Sequence, residues 1–160
     1  MNDAPGPGAQ VVVRSRVSLG GPGGFARDCF QPGVTENELA KQIVDAAFRV
    51  HTTLGPGLLE SVYKAVLALE LEKRGLHTVR QQPVPVLYQG TRIEMGFRAD
   101  LIVEDKVIVE IKSADAVAPV HKKQLLTHLR LADKRLGLLI NFNVALIKDG
   151  ITRIANGMPD

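Results

Sequence analysis

Apolar residues recur at the three- and four-residue spacing of a helical face in the stretch that follows Thr35. The apolar positions are Leu39, Ile43, Ala46, Ala47 and Val50. Thr35 and Glu38 have the spacing of a capping box, in which each side chain bonds the other residue's backbone N–H. A Gly-Pro-Gly sequence at 55–57 interrupts the pattern. We therefore predict a first helix that ends at about 53–55.

The rest of the chain alternates between helical and strand-like patterns. In chain order, we predict a helix at 58–74, strands at 78–88, 96–103 and 107–112, a helix at 120–132, and strands at 136–142, 145–148 and 151–154. Pro83 and Pro85 favour an edge position for the first strand, because proline cannot donate to a sheet ladder. Asp149 and Gly150 are a hairpin signal between the last two strands. The sequence therefore predicts an α/β fold, with a mixed central sheet flanked by helices and preceded by a helical hairpin.

Residues 1–33 differ in composition from this periodic region. They contain seven Gly and four Pro, and a segment of that kind holds neither a helix nor a packed strand. We predict a disordered leader at 1–33 and one folded domain at 34–160. We expect the domain to fold without the leader.

Composition limits the classes of protein to which the chain can belong. Its 160 residues are 45% hydrophobic and include one Cys, so it can bury a core without disulfides and suits a reducing compartment. It has no run of about 18 to 20 apolar residues and no signal-peptide pattern, so we expect a cytoplasmic protein without a membrane partner. The net charge is only +3. Nucleic-acid binding must therefore depend on where the basic residues lie rather than on their total.

Two acidic residues lie on the two clearest strands, and the turn between these strands sets their relation. If residues 104–106 form a three-residue loop, Val103 pairs with Val107, and Asp100 lies directly opposite Glu110. Their Cβ atoms would then be ~4.5 to 5.5 Å apart on one face of the sheet. A shift of the register by one residue would separate them.

Two carboxylates at such a distance favour a bound cation. They repel each other by about 4 kcal/mol at 4 Å and an effective dielectric of ~20, unless a cation lies between them. Oxygen ligands favour Mg²⁺ or Mn²⁺ over zinc, and Mg²⁺ keeps waters and substrate phosphates as its other ligands. Lys112 lies on the same strand face as Glu110, where its ammonium can hold a water or stabilise charge on a phosphoryl group. These residues indicate a hydrolytic site; the alternative is a solvated strand face with a cross-strand salt bridge.

Two motifs in this order resemble a known group of proteins. The segment GLLESVY at 57–63 matches the pattern of the GxxExxY proteins. Asp100 followed by Glu110-Ile111-Lys112 resembles the Asp…Glu-x-Lys signature of the PD-(D/E)XK nuclease superfamily. The resemblance covers about 34–156 and implies a restriction-endonuclease-like core of a helix, three antiparallel strands, a helix and a further strand. It also implies endonuclease or exonuclease chemistry on nucleic acid.

The resemblance assigns roles to several of these residues. It implies a metal-binding pair, a backbone carbonyl ligand and a catalytic lysine, which correspond to Asp100 with Glu110, to Ile111 and to Lys112. Glu60 resembles the helix-borne acid that completes metal coordination in related nucleases. Alternatively, Glu60 is the third residue of a helix capped by Gly57, a position where an acid stabilises the helix terminus.

The expected substrate contacts lie on the two helices beside these strands. Tyr63 shares a helical face with the helix-borne acid, where it would contact a phosphate or an acid, or else lie at the edge of the core. Gln124 resembles the Gln of the Gln-x-x-x-Tyr motif found in the exonuclease branch, although His128 stands where that motif has Tyr. Lys122 and Lys123 belong to a basic stretch that suits either a phosphate backbone or solvent.

These residues together lead us to expect a Mg²⁺- or Mn²⁺-dependent nuclease that hydrolyses phosphodiester bonds in DNA or RNA. The first alternative is a non-catalytic nucleic-acid-binding or regulatory module that retains the fold. The second is a structural domain that binds a protein partner.

Overall fold

The computed structural model describes Gln31 and residues 33–158. The predicted leader at 1–33 lies outside the described residues, except for Gln31 and Gly33. The Gln31 N–H donates a hydrogen bond to Glu104 Oε2 at 3.0 Å. Residue 31 is therefore hydrogen-bonded to the loop between the two strands that carry Asp100 and Glu110.

A five-stranded sheet forms the centre of the described region, in the order β1-β2-β3-β4-β5. The helices are α1 (Glu36–Leu54), α2 (Glu60–Lys73) and α3 (Pro119–Leu131), and the strands are β1 (Thr78–Tyr88), β2 (Thr91–Val103), β3 (Val107–Lys112), β4 (Leu136–Asn141) and β5 (Ile151–Ala155). Neighbouring strands are antiparallel except β3 and β4, which are parallel. The predicted α/β fold with a mixed sheet is confirmed, and β1 is an edge strand as expected. Of the helices in this region, none has both the length and the apolar character needed to cross a membrane.

Helix α1 begins and ends as its sequence predicts. The Glu38 N–H donates to Thr35 Oγ1 at 3.3 Å, and the Thr35 N–H donates to Glu38 Oε2 at 2.8 Å, which completes the capping box. The helix ends at Gly55, whose φ of 70° suits glycine and whose N–H donates to the His51 carbonyl at 2.8 Å. The capping residues therefore determine where α1 starts and stops.

The sheet separates two apolar clusters, and β3 contributes to both. Val107, Val109 and Ile111 are fully buried in the larger cluster, which contains α1 and α2. Ile108 is buried in the smaller cluster, beneath α3. The predicted alternation along β3 is confirmed, and it directs Glu110 and Lys112 towards α3.

The predicted hairpin near the C-terminus is wrong. Residues Ile147–Gly150 form a 3-10 helix, and β5 is the one strand of the described chain that follows β4. Gly150 does not occupy a turn with positive φ; a Cβ at this position would overlap the Asn141 carbonyl oxygen. Glycine is required here for close backbone packing. In the sequence, an Asp-Gly pair looks the same whether it serves such packing or a hairpin turn.

Two elements begin at other residues than predicted. β2 begins at Thr91 rather than at 96, because it pairs with β1 as far as Tyr88 across a tight turn. Gln89 and Gly90 form that turn with φ values of 47° and 78°. α2 begins at Glu60 rather than at 58, after Leu59 as its N-cap.

Candidate active site

The predicted register between β2 and β3 is confirmed up to the point where the strands separate. Val103 pairs with Val107, and the last backbone pair is Leu101 with Val109. Beyond that pair the Ile111 N–H donates to the Asp100 carboxylate, with 2.9 Å between N and Oδ2. Asp100 therefore lies where the backbone pairing of β2 and β3 ends. Its carboxylate accepts the Ile111 N–H in place of a strand carbonyl.

Basic and amide groups from neighbouring elements surround Asp100, which is only 7% exposed. Its Oδ1 accepts from Gln81 Nε2 at 3.2 Å and from Lys64 Nζ at 2.7 Å. Lys64 Nζ also contacts Glu60 Oε1 at 2.8 Å, so one ammonium joins two carboxylates. Burial lowers the pKa of Lys64, but its hydrogen bonds to Asp100 and Glu60 outweigh this and raise the pKa overall.

Glu110 lies on the other side of Asp100, beneath α3. We call Asp100 and Glu110 the acid pair. Burial raises the pKa of its carboxyl group, contact with His128 partly offsets this, and the adjacent Asp100 carboxylate raises it further. Glu110 Oε1 and His128 Nδ1 lie 3.4 Å apart. Both atoms are buried without a hydrogen-bond partner among the described residues. The carboxylate is therefore held in a poorly solvated place without full compensation.

A small cavity of about 20 Å³ adjoins Glu110. Its polar lining consists of Glu110, Lys112, His121, Gln124 and His128. Three of these residues, Glu110 and the two histidines, carry a buried side-chain atom without a hydrogen-bond partner in the described part of the chain. Such atoms are rare in folded proteins and indicate a polar ligand, such as water or an ion, at that place.

Lys112 lies half-buried at this cavity, as the strand alternation predicts. Within residues 33–158, its ammonium makes no ion pair with an Asp or Glu, whereas Lys64 makes two. The Lys112 carbonyl accepts from the Phe142 N–H at 2.9 Å, which fixes its backbone between β3 and the end of β4. The Lys112 backbone is therefore fixed, and its ammonium, which has no acidic partner among these residues, is available to a ligand.

The alternative interpretation of Glu60 is confirmed in part, because its carboxylate lies in the first turn of α2, where an acid stabilises the helix terminus. Glu60 is the first residue of α2 rather than the third, and the N-cap is Leu59 rather than Gly57. No side chain caps this helix, and the Glu60 carboxylate pairs with Lys64 instead. Glu60 therefore reaches the acid pair only through the Lys64 ammonium.

Tyr63 is not placed to contact a substrate. Its side chain has no exposed surface, and its ring stacks on Phe142 with 4.5 Å between centroids. The hydroxyl donates to the Gly55 carbonyl at 2.6 Å and accepts from the Leu58 N–H at 3.2 Å. Tyr63 therefore fastens the loop between α1 and α2 and is not among the proposed substrate contacts.

The expected substrate contacts on α3 lie on its outer and cavity-facing sides. Lys122, Lys123 and Gln124 are exposed, and Gln124 also borders the cavity. The His128 ring stacks on Phe97 with 3.8 Å between centroids, which fixes it beside Glu110. α3 therefore presents Gln124 and His128 at the cavity, whereas Lys122 and Lys123 are exposed outside it.

Three residues of this region were not predicted as site residues from the sequence: Lys64, Gln81 and His121. Lys64 follows Glu60 by four residues on one helix, which is the spacing of a favourable ion pair and could have revealed it. His121 precedes Gln124 and His128 by three and seven residues, which puts all three on one face of α3. That helical spacing is a signal that could have linked His121 to the strand residues.

The residues at the strand separation fit a hydrated divalent cation. Among Gln31 and residues 33–158, no three His, Cys, Asp or Glu side chains come close enough to hold a metal ion alone. Asp100 and Glu110 are nevertheless adjacent, and Glu110 has a buried oxygen without a partner in that part of the chain. Mg²⁺ takes one or two protein carboxylates and keeps waters or phosphate oxygens as its remaining ligands. The donor set therefore suits Mg²⁺ or Mn²⁺ better than a metal that needs a closed protein cage.

Comparison with known proteins gives one match. Searches among curated proteins and among solved structures found no match. The family model of the PD-(D/E)XK nuclease superfamily matches residues 37–154, which include all helix and strand residues described above except the first of α1 and the last of β5. From the strand separation with its Asp, Glu and Lys residues and from this match, we conclude that the chain belongs to the PD-(D/E)XK nuclease superfamily.

Proposed function

We propose that this protein is a divalent-metal-dependent nuclease that hydrolyses phosphodiester bonds in nucleic acid. The observation that carries the proposal is the group at the separation of β2 and β3. There, the buried Asp100 carboxylate lies beside the Glu110 carboxylate, of which Oε1 is buried, and Lys112 has an ammonium without an acidic partner in the described chain. Members of the superfamily are nucleases that generally use divalent metals, so the family supports the same chemistry.

Asp100 and Glu110 would hold a Mg²⁺ or Mn²⁺ ion, with the Ile111 carbonyl and Glu60 as further ligands, and such an ion would polarise the scissile phosphate. Glu110 binds a cation only as a carboxylate, and its raised pKa means that the protonated form competes at low pH. Asp100 is oriented by the Ile111 N–H, which fixes one oxygen while the other faces α2. The backbone of β3 thus orients the acid pair before any ligand arrives.

Lys112 is the proposed catalytic lysine. Its ammonium can donate to the attacking water and to a nonbridging phosphate oxygen, because no acid of the described chain occupies it. The water attacks phosphorus and releases a proton to solvent, the bond from phosphorus to the leaving oxygen breaks, and that oxygen takes a proton from solvent. Lys112 stabilises the negative charge that grows on the phosphoryl oxygens during this step.

Residues of α3 are the proposed contacts to the phosphate backbone. Lys122 and Lys123 are exposed, and Gln124 and His128 border the cavity beside Glu110. Lysine contacts of this kind release counterions and give affinity that falls with salt and depends little on base sequence. The α3 face would therefore hold the strand while the residues of β2 and β3 act on it.

We also propose that the chain is a GxxExxY protein within the superfamily. The support is the part that each motif residue plays at 57–63. Gly57 has a φ of 96°, Glu60 starts α2, and the Tyr63 hydroxyl ties Leu58 and Gly55 together. The motif thus builds the loop that presents Glu60 to Lys64 and Asp100.

A cleavage assay on the full chain tests the proposed function. Single- and double-stranded DNA and RNA are incubated with the protein in Mn²⁺, in Mg²⁺ and in EDTA. We expect metal-dependent cleavage that is lost in Asp100→Asn and retained in the matched control Asp149→Asn, an exposed residue of the 3-10 helix. Cleavage that persists unchanged in Asp100→Asn would contradict the proposal.

A non-catalytic nucleic-acid-binding module is the second candidate. The observation that favours it is the Lys64 ammonium, which already pairs with both Asp100 and Glu60. This candidate predicts salt-sensitive binding without strand cleavage in any metal. The same assay, combined with a binding measurement in EDTA, therefore separates the two functions.

A further inference from the structure

We propose that Lys64 is the internal counter-cation of this site: its ammonium pairs with Glu60 and Asp100 in the metal-free protein and moves aside when a divalent cation binds. The proposal rests on the proposed function, because it concerns how that site is loaded. It assigns Lys64 as a positioning residue that sets the affinity of the site for metal. It does not require Lys64 to touch the substrate.

The first argument is the geometry of the Lys64 ammonium. Its Nζ lies 2.7 Å from Asp100 Oδ1 and 2.8 Å from Glu60 Oε1, which are strong charge-assisted contacts. The Asp100 side chain is only 9% exposed, so solvent screens this contact weakly. The two acids that Lys64 joins are the two that a cation on the α2 side of the site would use.

The second argument is electrostatic exclusion. An ammonium in direct contact with Asp100 Oδ1 and a divalent cation bonded to the same carboxylate would lie within a few ångströms of each other. Like charges at that distance repel strongly in a poorly solvated place. Metal binding at Asp100 therefore requires the Lys64 ammonium to leave, and breaking its two ion pairs reduces the apparent metal affinity.

The third argument is that the side chain has room to move. An open groove of about 560 Å³ lies beside Lys64, between α2 and β1. Glu60, Lys64 and Asp100 all border this groove, together with Arg80 and Gln81. Rotation of the Lys64 side chain into the groove frees both carboxylates without any change in the backbone of α2.

The contrast with Lys112 supports a separate role for Lys64. Lys112 has no acidic partner in the described chain, so its ammonium does not occupy a carboxylate that a cation would use. Lys64 holds two expected ligands at once. The same substitution at the two lysines should therefore change metal affinity in different ways.

Calorimetric titration of the full chain with Mn²⁺ tests the inference. We expect Lys64→Met to bind Mn²⁺ at least about tenfold more tightly than the wild type, which is about 1.4 kcal/mol. The metal-free variant should also melt at a lower temperature, and Mn²⁺ should raise its Tm by more than it raises that of the wild type. Lys73→Met, an exposed lysine at the end of the same helix, is the matched control and should match the wild type. Lys64→Gln keeps a polar side chain and should give the same increase if Lys64→Met does not fold.

Two outcomes separate failure of this inference from failure of the proposed function. If the wild type binds Mn²⁺ and both Lys64 variants bind it equally or more weakly, Lys64 is not a counter-cation, and the proposed function stands. If neither the wild type nor the variants bind Mn²⁺, the metal dependence in the proposed function is wrong, and the inference fails with it.

Discussion

The two sides of the acid pair differ in how completely their polar groups are satisfied. On the α2 side, Asp100 accepts from Lys64, Gln81 and the Ile111 N–H. On the α3 side, Glu110 and His128 carry buried atoms without hydrogen bonds in the described chain. A fully compensated carboxylate on β2 therefore lies next to a partly compensated one on β3.

This difference indicates which side stabilises the fold and which side awaits a ligand. Removing one partner of a satisfied buried ion pair is strongly destabilising, whereas an unsatisfied buried polar group costs free energy in the folded protein and is rare. Mutation on the α2 side should therefore lower the stability of the metal-free protein, and at the proposed ligand Asp100 it should remove cleavage as well. The α3 side should respond mainly in activity, and four predicted effects of decreasing size test this division.

The greatest change is expected at Lys112, on the α3 side. Lys112→Met should reduce metal-dependent cleavage about 100- to 1,000-fold, because it removes the charge that stabilises the phosphoryl group. Its Tm should stay close to that of the wild type, because the substitution removes no ion pair in the described chain. Lys148→Met, at an exposed position, is the matched control. A large fall in Tm without loss of cleavage would reverse the roles that we assign to the two sides.

The second effect is a loss of stability at Asp100. Asp100→Ala should lower the free energy of unfolding in EDTA by about 1 to 3 kcal/mol, because the buried Ile111 N–H loses its acceptor. Asp100→Asn retains a side-chain oxygen for that N–H and should lose less. Denaturant titration of the two variants measures the difference. Equal stability of Asp100→Ala and the wild type would show that the α2 side does not support the fold.

The third effect is a gain of stability at Glu110. Since burial raises its folded-state pKa, its contribution to stability is full below the unfolded-state pKa and is lost as the pH rises through the folded-state pKa. Glu110→Gln cannot ionise, so the metal-free variant should have a Tm higher by a few degrees at neutral pH. That advantage should shrink as the pH falls towards 4.5, the ordinary value for Glu. Thermal melts in EDTA at several pH values measure it, and a destabilised variant at neutral pH would contradict it.

The most modest effect concerns the exposed lysines of α3. Lys122→Gln combined with Lys123→Gln should weaken nucleic-acid binding only a few-fold at physiological salt. The slope of log affinity against log salt should decrease by about 0.7 to 0.9 for each phosphate that these lysines no longer neutralise. A double variant at Lys41 and Lys148, which lie outside α3, serves as the control. An unchanged slope would remove these lysines from the binding surface.

Local signals predicted the elements whose ends are set by local chemistry. The capping box at Thr35 and the glycine after Leu54 placed α1, and the three-residue turn before Val107 placed the register of β2 against β3. That register holds as far as Leu101 and Val109, but the predicted backbone pair of Asp100 with Glu110 is not formed, because the Asp100 side chain accepts the Ile111 N–H where the strands separate. Sequence alternation likewise placed Lys112 on the face of β3 that carries Glu110.

Tertiary packing determined the features that the sequence did not reveal. Gly150 follows Asp149 as in a hairpin, yet its lack of a side chain serves contact with the Asn141 backbone, which is distant in sequence. Tyr63 has helical spacing that suits an exposed contact, yet the Gly55 carbonyl and the Phe142 ring bury it. Lys64 was overlooked because its partner Asp100 comes from a strand, and only the Glu60 contact is local.

A crystal structure of the full chain soaked in Mn²⁺, with anomalous scattering used to locate the ion, would show directly whether the acid pair binds metal. We predict one peak within bonding distance of both the Asp100 and the Glu110 carboxylates, with the Lys64 ammonium moved away from Asp100. An ion bound elsewhere, with the Lys64 contacts to Asp100 and Glu60 intact, would contradict both the proposed metal site and the role of Lys64.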